Sequence, residues 1–420
     1  MPYNRPMTRL TTVLFLLLFL TACTPTQELA TPLLPEPTTT VSPDPATTPV
    51  PLDLTIWLPD WMLNENPDAT QIIEETIWDF SDEHGVDVEI IVKPATGQSG
   101  LYDFLEKTYP VAPAVLPDLI ALPFGDVEKA ADKGFLQPLD GLLPEDDLAD
   151  LYPFAQEVAR IEGIWLSSPF TADYEHLAFQ PSALSDLPLN WSVVLESEAD
   201  YAFPAGGSET RLTDALLLHY LSAVGENGDP DRNEQALRET LTFYETIVSN
   251  ELLDDSSLQA KDPTVTWPRA LQGTAELAHT TAYLWSRDRN QATTLRFGPV
   301  PTADGIPRYT PHGWAYGIVT ADPQRQALAA QLIDRLVAPD TLGAWSTAAN
   351  RLPTQRGALA LWPEDDFTLF AEEALEVASR APLTLLLDTN LTRRLHTAML
   401  DVLSGSIDAE TATSRAVEDW

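Results

Sequence analysis

Six histidines stand at positions 84, 176, 219, 279, 312 and 396. No two have the His-x-x-x-His spacing that puts a pair of ring nitrogens on one face of a helix. Cys23 is the only cysteine, so no thiolate cluster replaces them as metal ligands. The chain has no Gly-x-Ser-x-Gly turn to raise a serine nucleophile, and no Gly-rich loop ending in Lys-Ser/Thr to cradle phosphate. Carboxylates are abundant, with neighbours such as Asp254-Asp255 and Asp365-Asp366, but among 63 Asp and Glu such neighbours arise by chance. Glycoside hydrolysis needs two carboxyls facing one sugar from opposite sides, roughly 5 to 9.5 Å apart. No spacing in the chain specifies that pair. These residues point away from an enzyme, a metal or a cofactor, and toward non-covalent binding.

Covalent chemistry is expected at one place only. Arg5 and Arg9 precede the eight-residue apolar run Val13–Leu20, which is too short to span a bilayer and has the charge-then-apolar order of a secretory signal. Leu20-Thr21-Ala22-Cys23 then resembles a bacterial lipobox, in which the peptidase cuts before the cysteine and the sulfur carries a diacylglycerol. The expectation is a signal peptide over 1–22, a lipidated Cys23, and a fold that uses no disulfide. Thr24 to Pro51 contains eight Pro and eight Thr in 28 residues, without Lys, Arg or Gly. Such a segment buries too little apolar surface to fold. Held extended by proline, at about 3.1 Å per residue, it reaches roughly 90 Å at most. Residues 23–51 read as the lipidated Cys and its tether to a folded domain.

Lys and Arg number 24 against 63 Asp and Glu, a formal net charge of −39. That charge repels nucleic acid and anionic head groups, so no nucleic-acid partner is expected and the lipid is what holds the membrane. No later run is long and apolar enough for a transmembrane helix.

The elements that position any site follow from periodicity. Leu52 to Leu58 alternates as a strand. Ile73, Ile77 and Phe80 mark one face of a helix that Gly85 stops. Val86, Val88, Ile90 and Val92 alternate again, Leu116 to Leu122 is a buried strand, and 125–134 is a helix ended by Gly134. This order indicates an α/β fold with a largely parallel sheet. Further on, Asp231-Arg232-Asn233-Glu234 has the form of a capping box before a helix carrying Leu237, Leu241, Tyr244 and Val248. Asp322-Pro323 opens another helix that ends before Pro339. Residues 364–380 and 391–404 supply two more. Trp78, Trp345 and Trp362 sit within helical patterns and are assigned to packing.

Taken in order, these segments resemble the extracellular solute-binding proteins of ABC importers, the sugar-binding family 1 that includes maltose-binding protein. "DLTIWLPDW" is similar to the family's opening strand and first ligand loop, and "VDVEIIVKP" to its second strand. "LPDLIALPFGDVEKAADKGFLQPLDGLL" (116–143) carries Pro117-Asp118, Gly134-Phe135-Leu136 and Pro138-Leu139-Asp140 in the family's order. "EGIWLSSPFTADYEHLAFQP" resembles the crossing segment, "ALQGTAELA" the Leu-x-x-Gly helix, "TPHGWAYGIVTADPQRQALAAQLIDRLVAPD" the glycine-rich strand and return helix, and "NRLPTQRGAL" the Leu-Pro-x-Arg motif. Two departures bear on the ligand: Pro188-Leu189-Asn190-Trp191-Ser192 is a reduced form of the family's Trp motif, and His176-Leu177-Ala178-Phe179 replaces a Tyr-rich strand. The resemblance implies a two-lobe periplasmic-binding-protein-like α/β fold (type II), with the ligand cleft between lobes joined by hinge strands. The corresponding boundaries are 53–165 plus 300–338 for lobe one and 166–299 plus 339–420 for lobe two.

The same resemblance implies a monomeric lipoprotein on the extracytoplasmic face of the cell membrane. It would capture a sugar or oligosaccharide and deliver it to ABC transporter permease subunits. A neutral sugar needs flat aromatics for its C–H faces and Asp, Glu, Asn or Arg for its hydroxyls. By position, the ligand-binding candidates are Trp314, Trp61, Trp285, Tyr174, Asp173, Asp60 and Arg351. Three other readings stay open: the same fold binding a polyamine or other cation, a secreted carboxylate-dyad hydrolase, and an adhesive or sensory lipoprotein.

Overall fold

The computed structural model describes residues 53–420 apart from 185, 186, 188, 189, 208–210 and 419. The signal peptide, Cys23 and the tether of the sequence reading lie outside the described residues. The strands are β1 (Leu54–Pro59), β2 (Val88–Lys93), β3 (Leu119–Pro123), β4 (Arg160–Ile161), β5 (Ile164–Trp165), β6 (Ser168–Asp173), β7 (Glu175–Phe179), β8 (Tyr201–Ala202), β9 (Leu277–Thr281), β10 (Arg296–Gly298), β11 (His312–Ile318) and β12 (Leu352–Pro353).

Local signals explain the first layer. The Asn66 side chain accepts from the amides of Asp68 and Ala69, Pro67 fills the first turn, and the helix Pro67–His84 buries Ala69, Ile73, Ile77 and Phe80. Gly85 ends it at φ 62°, a left-handed cap that glycine adopts without strain. Trp78 is 60 % exposed, not packed as expected, because it lies one position off that stripe. Trp345 and Trp362 are buried. The helix Glu234–Ser249 is capped by Asn233, whose side chain accepts from the Ala236 amide, so the cap falls two residues after Asp231.

Six strands form one sheet in the order β12-β6-β11-β3-β1-β2. β1 runs parallel to both β2 and β3, as the sequence pattern implies, while β11 is antiparallel to β3 and β6. The reversal follows from connectivity. β6 leads out of this sheet toward the second lobe, and β11 leads back. A four-stranded sheet, β10-β7-β9-β8, belongs to the second lobe. Only Tyr174 separates β6 from β7, so the crossing is made in a single residue. The faces of β7 then alternate as a pleat requires: Leu177 and Phe179 join a core with Tyr201, Leu216, Leu241 and Leu395, while Ala178 turns to the larger core that holds Trp267 and Trp285. Because β6 and β12 pair within the first sheet and the helix Pro339–Ala349 packs on the helix Pro67–His84, residues 168–173 and 339–353 sit with the first lobe. The sequence-based division places both with the second.

Candidate functional site

In open α/β sheets, ligands bind outside the carboxyl ends of the strands. Here that edge is defined by Pro59, Pro123 and Asp173, the last residues of β1, β3 and β6. The antiparallel β11 begins beside it, with Trp314 opposite Pro123 and His312 opposite Asp173. Asp60 and Trp61 start the short helix Asp60–Asn64 straight after β1. Arg351 is delivered from the far end of the chain. Asn350 closes the helix Pro339–Ala349 at φ 56°, and Leu352 then pairs with Ala172 of β6. Asn tolerates this left-handed turn better than most residues. Six of the seven candidates therefore sit along one sheet edge or beside it, and four distant segments supply them.

The rings make the contacts. Trp61 and Trp314, both half-buried, meet edge-to-face with centroids 5.4 Å apart. The Arg351 guanidinium carbon lies 4.1 Å from the Trp61 centroid and 4.1 Å from the Tyr283 centroid. It is thus held between a ring of the first lobe and a ring on the helix Ala282–Asp288 of the second. The Glu65 carboxylate accepts from Arg351 at 2.7 Å and from the Tyr283 hydroxyl at 3.3 Å. A crevice of about 80 Å³ remains beside this cluster, lined by Trp61, Glu65, Asn66, Tyr283, Trp345 and Arg351 among others.

A second polar group sits at the start of β11. His312 Nε2 is 2.9 Å from Asp214, the first residue of the helix Asp214–Val224, so this pair links the first sheet to the second lobe. The Asp214 charge holds the His312 imidazole above its ordinary pKa, against the opposing effect of burial. Burial acts to raise the Asp214 carboxyl, and His312 outweighs it, leaving the carboxyl below its usual range. Asp173 accepts from the backbone amides of Tyr174 and Tyr283 at 3.0 Å each. Its burial raises its pKa in spite of those bonds and of nearby His312 and Arg351. Gly313 is required by the fold itself: a Cβ there would stand 1.9 Å from the Thr171 carbonyl oxygen. The close approach that glycine permits is to β6 and Phe124, not to a ligand.

Three candidates are placed differently from the rest. Trp285 is only 6 % exposed and packs among His176, Trp267, Phe297 and Phe367. Its charged neighbours in sequence pair with each other, Arg287 to Asp288 at 2.6 Å, while the ring turns into the core. Tyr174 is fully buried edge-on to Tyr309, as aromatic area favours. Asp60 is exposed and its carboxylate accepts from the Trp61 amide, steadying the turn more than facing the crevice. Sequence reasoning overlooked Glu65, Tyr283, His312 and Asp214. Two of these had a local signal. Glu65 lies four residues after Trp61, one helical turn on, and His312 lies two before Trp314, on the same face of a strand. Tyr283 and Asp214 join through tertiary contacts alone.

No protein-family model matches this sequence, and no curated protein matches it. Solved structures do. Maltose-bound MalE3 of T. maritima aligns with a TM-score of 0.67 at 17% identity, over 87% of this chain and 98% of that one. The cyclic alpha-maltosyl-1,6-maltose binding protein from Arthrobacter globiformis aligns with a TM-score of 0.68 at 18% identity, over 88% and 98%. The sugar-binding protein MalE from the phytopathogen Xanthomonas citri aligns with a TM-score of 0.68 at 15% identity, over 87% and 96%. The chain has the two-lobe α/β fold of these binding proteins.

Proposed function

We propose that this chain is a lipid-anchored, monomeric binding protein on the extracytoplasmic face of the cell membrane. It captures a sugar or oligosaccharide between its lobes and passes it, chemically unchanged, to the permease subunits of an ABC importer. One observation carries the reading. Trp61 and Trp314 meet 5.4 Å apart at the carboxyl edge of the first sheet. Around them Glu65, Asp173, His312, Asp214 and Arg351 converge from both lobes, which supplies flat faces for C–H surfaces and polar groups for hydroxyls. The likeness to a structure solved with maltose supports maltodextrins as the first ligands to try.

Calorimetry of the full chain with glucose, maltose and maltotriose tests it. A sugar that binds should raise folding stability by about 2.7 kcal/mol at a hundredfold excess over its Kd. A flat response to every sugar, with a shift on adding spermidine, would favour a cationic solute instead. The guanidinium held between two rings beside Glu65 is the specific feature that suits that second reading. Glycoside turnover that vanishes on changing one Asp or Glu would replace both with a hydrolase. For the anchor, Cys23→Ser should abolish lipid labelling of the precursor, and undiminished labelling would refute lipidation at that residue.

A further inference from the structure

We infer that Arg351 is a resident occupant of the slot between Trp61 and Tyr283, a specificity-determining side chain that a flat ligand ring has to displace. Its guanidinium carbon stands 4.1 Å from each ring centroid, well within the roughly 6 Å reach of a cation–aromatic contact on both sides. Glu65 fixes it with an ion pair at 2.7 Å, and the Arg351 side chain is 16 % exposed. Glu65 also accepts from Tyr283, so the three side chains close on one another from three distant segments.

Space decides what this occupancy means. The crevice left beside the cluster is about 80 Å³. An engineered cavity that holds one benzene is about 150 Å³, and a pyranose is bulkier than benzene. With Arg351 in place, only a group of a few atoms enters. The guanidinium is retained by contacts of modest strength, two cation–aromatic faces and an ion pair whose glutamate side chain is 45 % exposed, so it hinders entry without sealing the slot. A ring that displaces it must satisfy both aromatic faces and offer Glu65 a donor in exchange. The identity of that ring rests on the sugar-binding reading; the occupancy of the slot does not.

The test uses the full chain with Arg351→Ala and Arg351→Gln, the latter keeping much of the stem without the charge. Methylguanidinium chloride is titrated at constant ionic strength while tryptophan fluorescence and thermal unfolding are followed. Arg351→Ala should respond saturably in the millimolar range and wild type should not. No saturable response in the variant overturns the inference. Maltose is then titrated by calorimetry. Arg351→Ala should bind about tenfold more tightly than wild type, equivalent to 1.4 kcal/mol, and Arg351→Gln should gain less. Equal or weaker maltose binding by a folded Arg351→Ala, restored by methylguanidinium, makes Arg351 a ligand contact and also overturns it. If no sugar binds wild type or either variant, the sugar-binding reading fails while the methylguanidinium titration still decides the slot. If Arg351→Ala does not fold, Arg351→Gln carries both titrations.

Discussion

In the second lobe, Glu175, His279, Tyr201, His219 and Tyr244 form a chain of hydrogen bonds shut off from solvent. At the sheet edge, Glu65, Arg351, Trp61 and Tyr283 form a cluster open to it. Both regions mix rings with ionisable groups. The buried chain runs from Glu175 to His279 Nδ1 (2.8 Å), His279 Nε2 to the Tyr201 hydroxyl (2.6 Å), Tyr201 to His219 Nε2 (3.1 Å), and His219 Nδ1 to the Tyr244 hydroxyl (3.0 Å). Burial drives every member toward its neutral form: the Glu175 carboxyl well up, the His279 imidazole well down, the His219 imidazole down to about 3, and both phenols up. With all five neutral, a single donor direction satisfies all four bonds, from the Glu175 hydroxyl through each ring to Tyr244. The partners take up one another's ring nitrogens, and no member of the chain is exposed to meet a ligand. At the open cluster the opposite holds, since the Glu65 side chain stays 45 % exposed. Composition alone does not separate a structural polar core from a binding site; access to solvent does.

The largest predicted effect breaks the sealed region. His279→Ala opens a hole, takes the acceptor from the buried Glu175 hydroxyl and leaves Tyr201 with its His219 bond alone, which should lower unfolding free energy by about 3–5 kcal/mol. The same operation at the open cluster, Glu65→Gln, should lower it by about 0–1 kcal/mol, because water replaces the lost partner. Denaturant titration of both variants compares the two directly. Similar losses for the pair would erase the distinction drawn between the regions.

Next in size is a binding effect. Trp314→Ala removes an edge-to-face partner of Trp61 and the ring proposed to stack on the ligand. Truncating such an anchor commonly costs about 2 kcal/mol, which is roughly thirtyfold in Kd. If Trp314 serves the core instead, unfolding free energy should fall by about 3–5 kcal/mol while the remaining folded protein binds normally. Calorimetric Kd and denaturant unfolding, taken on the same preparation, tell the roles apart.

Much of the scaffold behind this contrast was legible in the sequence. The stripe of Ile73, Ile77 and Phe80 with its Gly85 stop, the Asp322-Pro323 start and the strand read at Leu116 to Leu122, which forms over Leu119–Pro123, all follow from short-range rules. The end of the first strand pointed Trp61 toward one edge, and the family resemblance pointed Asp173, Trp314 and Arg351 to the same place. What stayed hidden depends on distant partners. Arg351 meets Glu65 across 286 residues and Tyr283 meets the same carboxylate across 218, distances at which spacing carries no information. Trp285 misled for a related reason: Arg287 and Asp288 beside it suggest a surface, yet residues two apart on a helix face different ways. The buried chain had no sequence signature either, because His219 and His279 lie on different elements and only the fold brings both to Tyr201.

The smallest effects are pH-dependent, and the two regions should show them with opposite sign. His219 has its imidazole depressed to about 3 by burial. The unfolded chain takes up a proton there below an ordinary pKa near 6.5, and the native chain does not. Stability from this group is therefore complete above about pH 6.5 and falls as pH drops, by about 1.4 kcal/mol per unit at most. At the edge, His312 is held above its ordinary value by Asp214, with Asp173 adding to the effect and Arg211 opposing it. Its contribution is complete below about pH 6.5 and is lost as pH rises through the elevated native value. Asp214, lowered in the native state, keeps its share of the pair until the solution becomes strongly acidic. The His312 side chain is 40 % exposed, so the alkaline loss should stay below about 1 kcal/mol. Glu175 and His279 also titrate differently in the folded and unfolded chain over this interval, so each group is read from the difference in unfolding free energy between wild type and its variant from pH 4.5 to 8.5. The His219→Gln difference should change below about pH 6.5 and stay constant above it, and the His312→Asn difference should change only as pH rises through the elevated native value. A His312→Asn difference that stays flat across the alkaline side would remove the His312–Asp214 pair as a pH-sensitive link between the lobes.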